Sequence, residues 1–297
     1  MIAHSHETPR PPARVVVLGA SGFVGGVLVD HLAKMDIEIL GLSSADIDLC
    51  RSDAVDLLEI QLQEGDALVF VSALTPDRGK DIRTFMKNLE MGEHVCAALT
   101  NSACSHVVYV SSDAVYDDDA NPVIESTPCN PSSFHGLMHL ARERMLSATL
   151  SEAQVPLLIL RPSLLYGARD THNGYGPNRF LRVVLEGRLL SLFGEGEEKR
   201  DHVFIEDLSR LIELGLMHKS NGVLNVATGT SVGFMEVARA AAEEAGVDAD
   251  IECLPRSQPI SHRHFDVTSM HRAYPSFVYT ALSEGLRKTV SQLSGPA

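Results

Sequence analysis

Short, nearly continuous apolar runs recur through the first half of the chain: Val15–Leu18, Ile37–Leu42, Ala67–Val71, Val107–Val110 and Leu157–Leu160. They are rich in β-branched residues and hardly alternate with polar ones, the pattern of strands buried on both faces of a parallel sheet. The stretches between them have helical spacing. Val27, Leu28 and Leu32 mark a first helix, and Asp81–Thr100 and Phe134–Leu150 mark two longer ones. Strands alternating with helices predict an α/β fold with a doubly wound parallel sheet.

The last third reads differently. Gly167–Gly176 is rich in glycine and polar residues and predicts a loop. Arg200–Ile205 and Val223–Val226 are short strand candidates, and Val232–Ala245 is a helix closed by Gly246. These pieces are too irregular for a second doubly wound domain and predict a smaller C-terminal lobe covering a substrate. The expected organisation is a flexible leader over 1–13 and a dinucleotide-binding (Rossmann) domain over 14–165, with a returning segment at about 201–228. Segments 166–200 and 229–297 then make the substrate-binding lobe.

Composition narrows the function class. The 297 residues, 44% apolar, are enough for one large α/β unit. A net charge of −14 argues against a nucleic-acid partner, and any anionic ligand must find local arginines. The five cysteines (Cys50, Cys96, Cys104, Cys129 and Cys253) form no C-x-x-C pair and read as reduced thiols of a cytoplasmic protein. No apolar run reaches membrane-spanning length. Met1–Ala13 is polar and lacks the apolar centre of a signal peptide.

The strongest chemical signal follows the first strand. Gly19, Gly22 and Gly25 form G-x-x-G-x-x-G between strand and helix, with Ser21, Phe23 and Val24 inside it. Glycines there let the backbone approach a pyrophosphate, which the free N–H groups and the positive end of the helix then bind. The acidic residue that usually holds the adenosine ribose is expected about 18–20 positions on. Ser43 stands 18 positions beyond Gly25, followed by Ser44, and neither is a carboxylate. The cofactor is therefore NAD or NADP, with the missing carboxylate tilting toward NADP and Arg51 as a candidate partner for its phosphate.

Several further segments, in order, carry a resemblance. Ser72-Ala73 follows the Ala67–Val71 strand, Asn88 lies in the next helix, and Ser111-Ser112-Asp113-Ala114-Val115-Tyr116 ends the following strand. Arg161-Pro162-Ser163-Leu164-Leu165-Tyr166-Gly167, Arg200-Asp201-His202-Val203-Phe204-Ile205-Glu206-Asp207 and Asn225-Val226-Ala227-Thr228-Gly229 come later. With the glycine turn, they resemble the extended short-chain dehydrogenase/reductase family, its NAD-dependent epimerase/dehydratase group acting on nucleotide sugars. The likeness runs from about Arg14 to Leu293. Ser43–Leu49 also looks locally like the dTDP-4-dehydrorhamnose reductase branch. The resemblance implies cofactor contacts from Gly19, Ser21, Gly22, Phe23, Val24, Gly25, Ser43, Ser72, Ala73, Asn88, His139 and Pro162. It implies substrate contacts from Ser112, Asp113, Asn178, Arg200 and Arg263, with a nucleotide sugar as substrate. It also implies a homodimer through the helices at Asp81–Thr100 and Phe134–Leu150.

The pattern departs at the active site. The family places Y-x-x-x-K inside P-x-S-x-Y-G-x-x-K-x-x-x-E. Here Pro131, Ser133, Gly136 and Glu143 set the register, so His135 takes the tyrosine position and His139 the lysine position. In the family the tyrosine exchanges a proton with a sugar hydroxyl or ketone, the lysine lowers its pKa and holds the nicotinamide ribose, and Ser112 would bond the same oxygen. An imidazole can exchange a proton near neutrality, but the lysine's fixed charge is lost.

Three readings of the pair stay open: an altered acid/base pair with Ser112, His135 and His139 catalytic, a noncatalytic or regulatory binder of cofactor and nucleotide sugar, or a metal pair at i, i+4 with His262 and His264 as further candidates. The expected function is an NAD(P)-dependent nucleotide-sugar epimerase or reductase, with no metal. Ala114 beside Asp113, where sugar 4,6-dehydratases carry a second carboxylate, argues against dehydration and leaves Asp113 as a loop cap. Arg200 has a rival reading as an ion-pair partner of Asp201 or Glu198.

Overall fold

The computed structural model describes residues 2–256 and 259–294. In chain order the elements are β1 (Ala3–His4), β2 (Arg14–Leu18), α1 (Phe23–Leu32), β3 (Glu38–Leu42), α2 (Ala54–Gln61), β4 (Ala67–Phe70), α3 (Ile82–Asn101), β5 (His106–Val110), α4 (Phe134–Glu152), β6 (Leu157–Pro162) and β7 (Leu164–Tyr166). They continue as α5 (Pro177–Leu185), β8 (Leu190–Phe193), β9 (Lys199–Phe204), α6 (Ile205–Met217), β10 (Ser220–Val226), β11 (Ser231–Gly233), α7 (Phe234–Ala245), β12 (Ile251–Leu254), α8 (Thr268–Ala273) and α9 (Leu282–Ser294).

The main sheet has the order β1-β10-β6-β5-β4-β2-β3, and every pairing except the β1 edge is parallel. Its central strands are buried along their whole length, which explains their lack of alternation. Val15 and Val17 face one core with Leu28 and Leu32, while Val16 and Leu18 face a second with Leu58 and Leu99. The chain crosses from β2 to β3 on one side and to β4 on the other. A crevice therefore opens at the carboxyl ends of these strands, the usual ligand position in such sheets.

The C-terminal elements build small sheets, β11-β9-β7 and β12-β8, packed with α5, α7 and α9. Gly246 closes α7 in the left-handed conformation, φ 68°. The amino-terminal segment departs from expectation. It is no loose leader: Ala3–His4 adds an antiparallel edge strand to β10, and the His6 and Arg10 N–H groups donate to the His218 and Met217 carbonyls. Edge pairing of this kind uses backbone groups and leaves no apolar pattern to read.

Candidate functional site

The glycine turn sits where β2 ends in that crevice. A Cβ on Gly25 would lie 2.1 Å from the Gly19 carbonyl oxygen, and Gly19 itself has φ +100° with the Ser72 backbone 2.9 Å from a Cβ position. Both positions therefore require glycine. Gly22 begins α1 with no side-chain cap, and the first turn holds no acidic residue. The Phe23, Val24 and Gly25 N–H groups precede the first intrahelical bond, from Gly26 N–H to the Gly22 carbonyl at 2.8 Å. A cradle of free N–H groups at a helix amino end suits a pyrophosphate. Two arginines missed in the sequence stand beside it. Arg78 and Arg169 line a cavity of about 390 Å³ shared with Ser21, Gly22 and Phe23. Arg169, one residue past Ala168 in the segment after Tyr166-Gly167, is held by Asp30 at 2.6 Å.

A larger cavity of about 700 Å³ runs from the turn across the sheet. It is lined by Gly19, Ser21, Gly22, Phe23, Val24 and Gly25, by Ser43, Ser72, Ala73 and Pro162, and by Ser112, Asp113, His135, His139 and Asn178. The fold thus brings most of the expected site residues to one space, of a size ordinary for ligand pockets.

His135 and His139 enter from the first turns of α4. The Ser133 hydroxyl caps this helix by accepting from the Gly136 N–H at 3.1 Å. A Cβ on Gly136 would lie 2.0 Å from the Ala114 carbonyl oxygen, so glycine lets α4 press against the short 3₁₀ turn Asp113–Val115. The two imidazoles meet nearly perpendicular, ring centres 4.7 Å apart. His139 Nδ1 lies 2.7 Å from the Tyr109 hydroxyl. Burial pushes His135 down to about 4, and the positive charge of Arg142 adds to the effect. Burial, His135 and Arg142 hold His139 well below the usual histidine range. Both rings are neutral at physiological pH. His262 meets the Lys199 N–H and His264 meets Asn121, so neither joins the pair.

The Ser112 hydroxyl oxygen accepts from the Ala114 N–H at 3.1 Å, leaving its hydrogen for another partner. Burial pushes the Asp113 carboxyl up to about 6, opposed by Arg263 and Arg200. Asp113 thus lines the cavity with its carboxyl 3.6 Å from the Arg263 guanidinium.

Four of the expected contact residues already carry hydrogen bonds within the protein. Asn88 does not line the cavity. Its amide bonds the Leu74 N–H and carbonyl, both at 2.9 Å, and so pins the Ser72–Leu74 wall from behind. Asn178 faces the cavity but is engaged by the Gly167 N–H and by Asp170, 2.9 and 2.7 Å away. Arg263 donates to the Asp113 and Asp117 carbonyls at 3.0 and 2.8 Å, tethering that loop. Arg200 donates to the Ser261 carbonyl and meets Glu198 at 3.5 Å, the ion pair of its rival reading. Asp201 is elsewhere, bonding Thr228, Gly229 and Ser163. At the ribose end, the Ser43 N–H and hydroxyl both donate to Asp46, at 2.8 and 2.7 Å, so a carboxylate is present three residues later than expected. Arg51 is committed to Asp53 at 3.0 Å.

Beneath the site lies a buried polar layer that the sequence did not disclose. Glu143 accepts from Arg161 at 2.6 and 2.9 Å and from the Ser111 hydroxyl at 2.6 Å. Arg161 also donates to the Tyr116 hydroxyl at 2.8 Å.

With turn, crevice and cavity in place, the relatives can be compared. The sequence profile of the NAD dependent epimerase/dehydratase family matches residues 15–227, and the chain belongs to that family. A UDP-glucose 4-epimerase of Mycolicibacterium smegmatis is 26% identical, the match covering 93% of this chain and 97% of that protein. A GDP-L-fucose synthase of Sinorhizobium fredii is 22% identical over 80% of this chain and 82% of that protein. Among solved structures, a UDP-N-acetylglucosamine 4-epimerase of Methanobrevibacter ruminantium in complex with UDP-N-acetylmuramic acid superposes with TM-score 0.83 at 23% identity, covering 95% of this chain and 98% of that one. A Thermus thermophilus UDP-glucose 4-epimerase in complex with NAD has TM-score 0.81 at 22% identity, covering 96% and 100%.

Proposed function

We propose that this chain is an NAD-dependent epimerase or reductase of a nucleoside-diphosphate sugar, working with His135 and His139 in place of the family's tyrosine and lysine. One observation carries the reading: a single cavity joins the uncapped glycine turn to Ser112, Asp113 and both imidazoles. NAD is favoured over NADP because Asp46 places a carboxylate at Ser43 and Arg51 is held by Asp53. The cofactor, when bound, takes and returns a hydride at the sugar carbon. Ser112 donates its hydroxyl hydrogen to the reacting sugar oxygen. His135, neutral, accepts the proton released when that oxygen becomes a carbonyl. Asp113, with its carboxyl at about 6, can exchange the same proton. Burial raises the pKa of its carboxyl and lowers that of the His135 imidazole, so Asp113 is the stronger base of the two. Arg200 is the proposed cation for the substrate diphosphate, its guanidinium suited to phosphate.

A second reading, a noncatalytic binder of cofactor and nucleotide sugar, is favoured by the low basicity of His135. Thermal shift with NAD and NADP comes first, since ligand at about 100 times Kd adds roughly 2.7 kcal/mol. No shift with either cofactor refutes both readings. UDP-, GDP- and dTDP-sugars are then assayed with wild type, His135→Ala and Asp113→Asn. Turnover lost in one of these variants supports the enzyme and names its proton carrier. Binding without turnover, with activity appearing in the double variant His135→Tyr, His139→Lys, supports the binder.

A further inference from the structure

The lysine position holds an imidazole, yet a buried cation lies one helical turn further along the same helix. Arg142 is fully buried, and no carboxylate pairs with it among the described residues. It donates to the Asn88 carbonyl at 2.7 Å and to the Ser72 carbonyl at 2.8 Å, and it lies 4.9 Å from the centre of the Phe70 ring. Its third donor meets the Asn88 side-chain oxygen at 3.2 Å, and its positive charge acts on the Tyr109 phenol.

We infer that Tyr109 is a positioning residue that holds His139 as the neutral tautomer with its hydrogen on Nε2, so that it offers a donor into the cavity where the family's lysine offers one. Tyr109 is 1% exposed, so its hydroxyl must find its partners inside the protein. One acceptor is at hand for the phenol hydrogen among the described residues, Nδ1 of His139 at 2.7 Å. If Nδ1 carried the hydrogen instead, the phenol's own hydrogen would be buried without a partner, which costs more than a hydrogen bond gains. Burial keeps the phenol un-ionised, and the neighbouring positive charge opposes an imidazolium. Nδ1 is thus an acceptor and Nε2 carries the hydrogen. The ring lines the cavity, and Nε2 has no hydrogen-bond partner among the described residues. The lysine's two properties are divided in this chain: His139 supplies the donor and Arg142 the fixed charge. The donor's use toward the nicotinamide ribose rests on the function proposed above; the tautomer does not.

The test is a long-range 1H–15N correlation spectrum of the ligand-free, full-length protein labelled at histidine, with His139 assigned by His139→Gln. At pH 7.5 the expected pattern is a protonated Nε2 and an unprotonated Nδ1. Tyr109→Phe, which keeps the ring and removes the hydroxyl, is expected to mix the tautomers and to weaken NAD binding about tenfold. Arg142→Lys, which can still donate, is expected to retain the wild-type pattern. An Nδ1–H tautomer or an imidazolium in the wild type overturns the inference, as does a Tyr109→Phe spectrum identical to wild type. A wild-type protein that shows the Nε2–H pattern but binds neither cofactor supports the relay and refutes the proposed function instead.

Discussion

His202→Phe is expected to stabilise this protein, and to do so more in acid. His202 is 4% exposed in β9, set against Phe234 with ring centres 6.0 Å apart, and neither ring nitrogen has a partner among the described residues. Burial, aided by the positive charge of Arg200, pushes its pKa down to about 3. The unfolded chain takes up a proton near 6.5 that the folded chain refuses until about 3. The folded state therefore binds fewer protons across that window, and stability present above 6.5 is lost as pH falls. At pH 5 the loss is about 2 kcal/mol for this one residue. Phenylalanine removes that loss. It also removes the standing cost of burying unpaired polar nitrogens, about 1–3 kcal/mol, partly offset by roughly 1 kcal/mol for fitting a larger ring. A gain of about 0–2 kcal/mol at pH 7.5 thus becomes about 2–4 at pH 5. At roughly 2–4 °C per kcal/mol for a chain of this size class, Tm should rise by at least about 4 °C at pH 5. Circular-dichroism melts of both proteins from pH 8 to 5 measure this. A Tm difference that is independent of pH, or a variant less stable than wild type at both ends, refutes the reasoning. His106, pushed down to about 4 by burial, adds to the acid lability of the wild type in the same direction.

Other outcomes are expected from the same geometry. Asp113 works with opposite sign: its folded pKa is raised to about 6, so its contribution is complete below about 3.8 and declines as pH rises through 6. Asp113→Asn should therefore raise Tm at pH 8, by at most about 3 kcal/mol of stability, and leave it unchanged at pH 3.5. Glu143→Gln strands the Arg161 cation in a buried layer and is expected to cost about 3–5 kcal/mol in urea unfolding; a loss under 1 kcal/mol would show that the pair is dispensable. Gly25→Ala sets a methyl 2.1 Å from the Gly19 oxygen and should abolish the NAD-induced thermal shift while circular dichroism stays near wild type. Ile82 and Met86 of α3, 65% and 55% exposed, and Phe134 and Leu137 of α4 present an open apolar face. We expect a dimer through it, so light scattering should give twice the 32.2 kDa chain mass for wild type and the single mass for Met86→Asp with Leu137→Asp. A monomeric wild type removes that expectation.

The parallel sheet and its glycine turn were legible in the chain, because both are local. A strand buried on two faces must be continuously apolar, and Val15–Leu18 is. A turn that meets its own backbone at 2.1 Å must be glycine, and Gly25 is. Gly136 is a like case, since a Cβ there would meet the Ala114 carbonyl oxygen at 2.0 Å. What the chain by itself did not decide was which polar side chains face the cavity and which turn away. Asn88 and Arg263 have the right type and spacing, but the fold spends their hydrogen bonds on loop carbonyls. Asp46 accepts from the Ser43 N–H and hydroxyl because a tight turn folds it back, a carboxylate at the strand end that spacing alone did not disclose. The leader becomes an edge strand through backbone pairing with β10, helped by the His4 ring, which meets the Ser220 hydroxyl and the Ala273 carbonyl. Arg142 lies a helical turn beyond His139, and only the packing of α4 against α3, β4 and β5 makes it buried, unpaired by any described carboxylate and close to Tyr109. Hydrogen bonds and desolvation act over a few ångströms in space, whatever the distance along the chain. That is why the cofactor turn could be read in sequence, and why the chemistry beside it needed the tertiary structure.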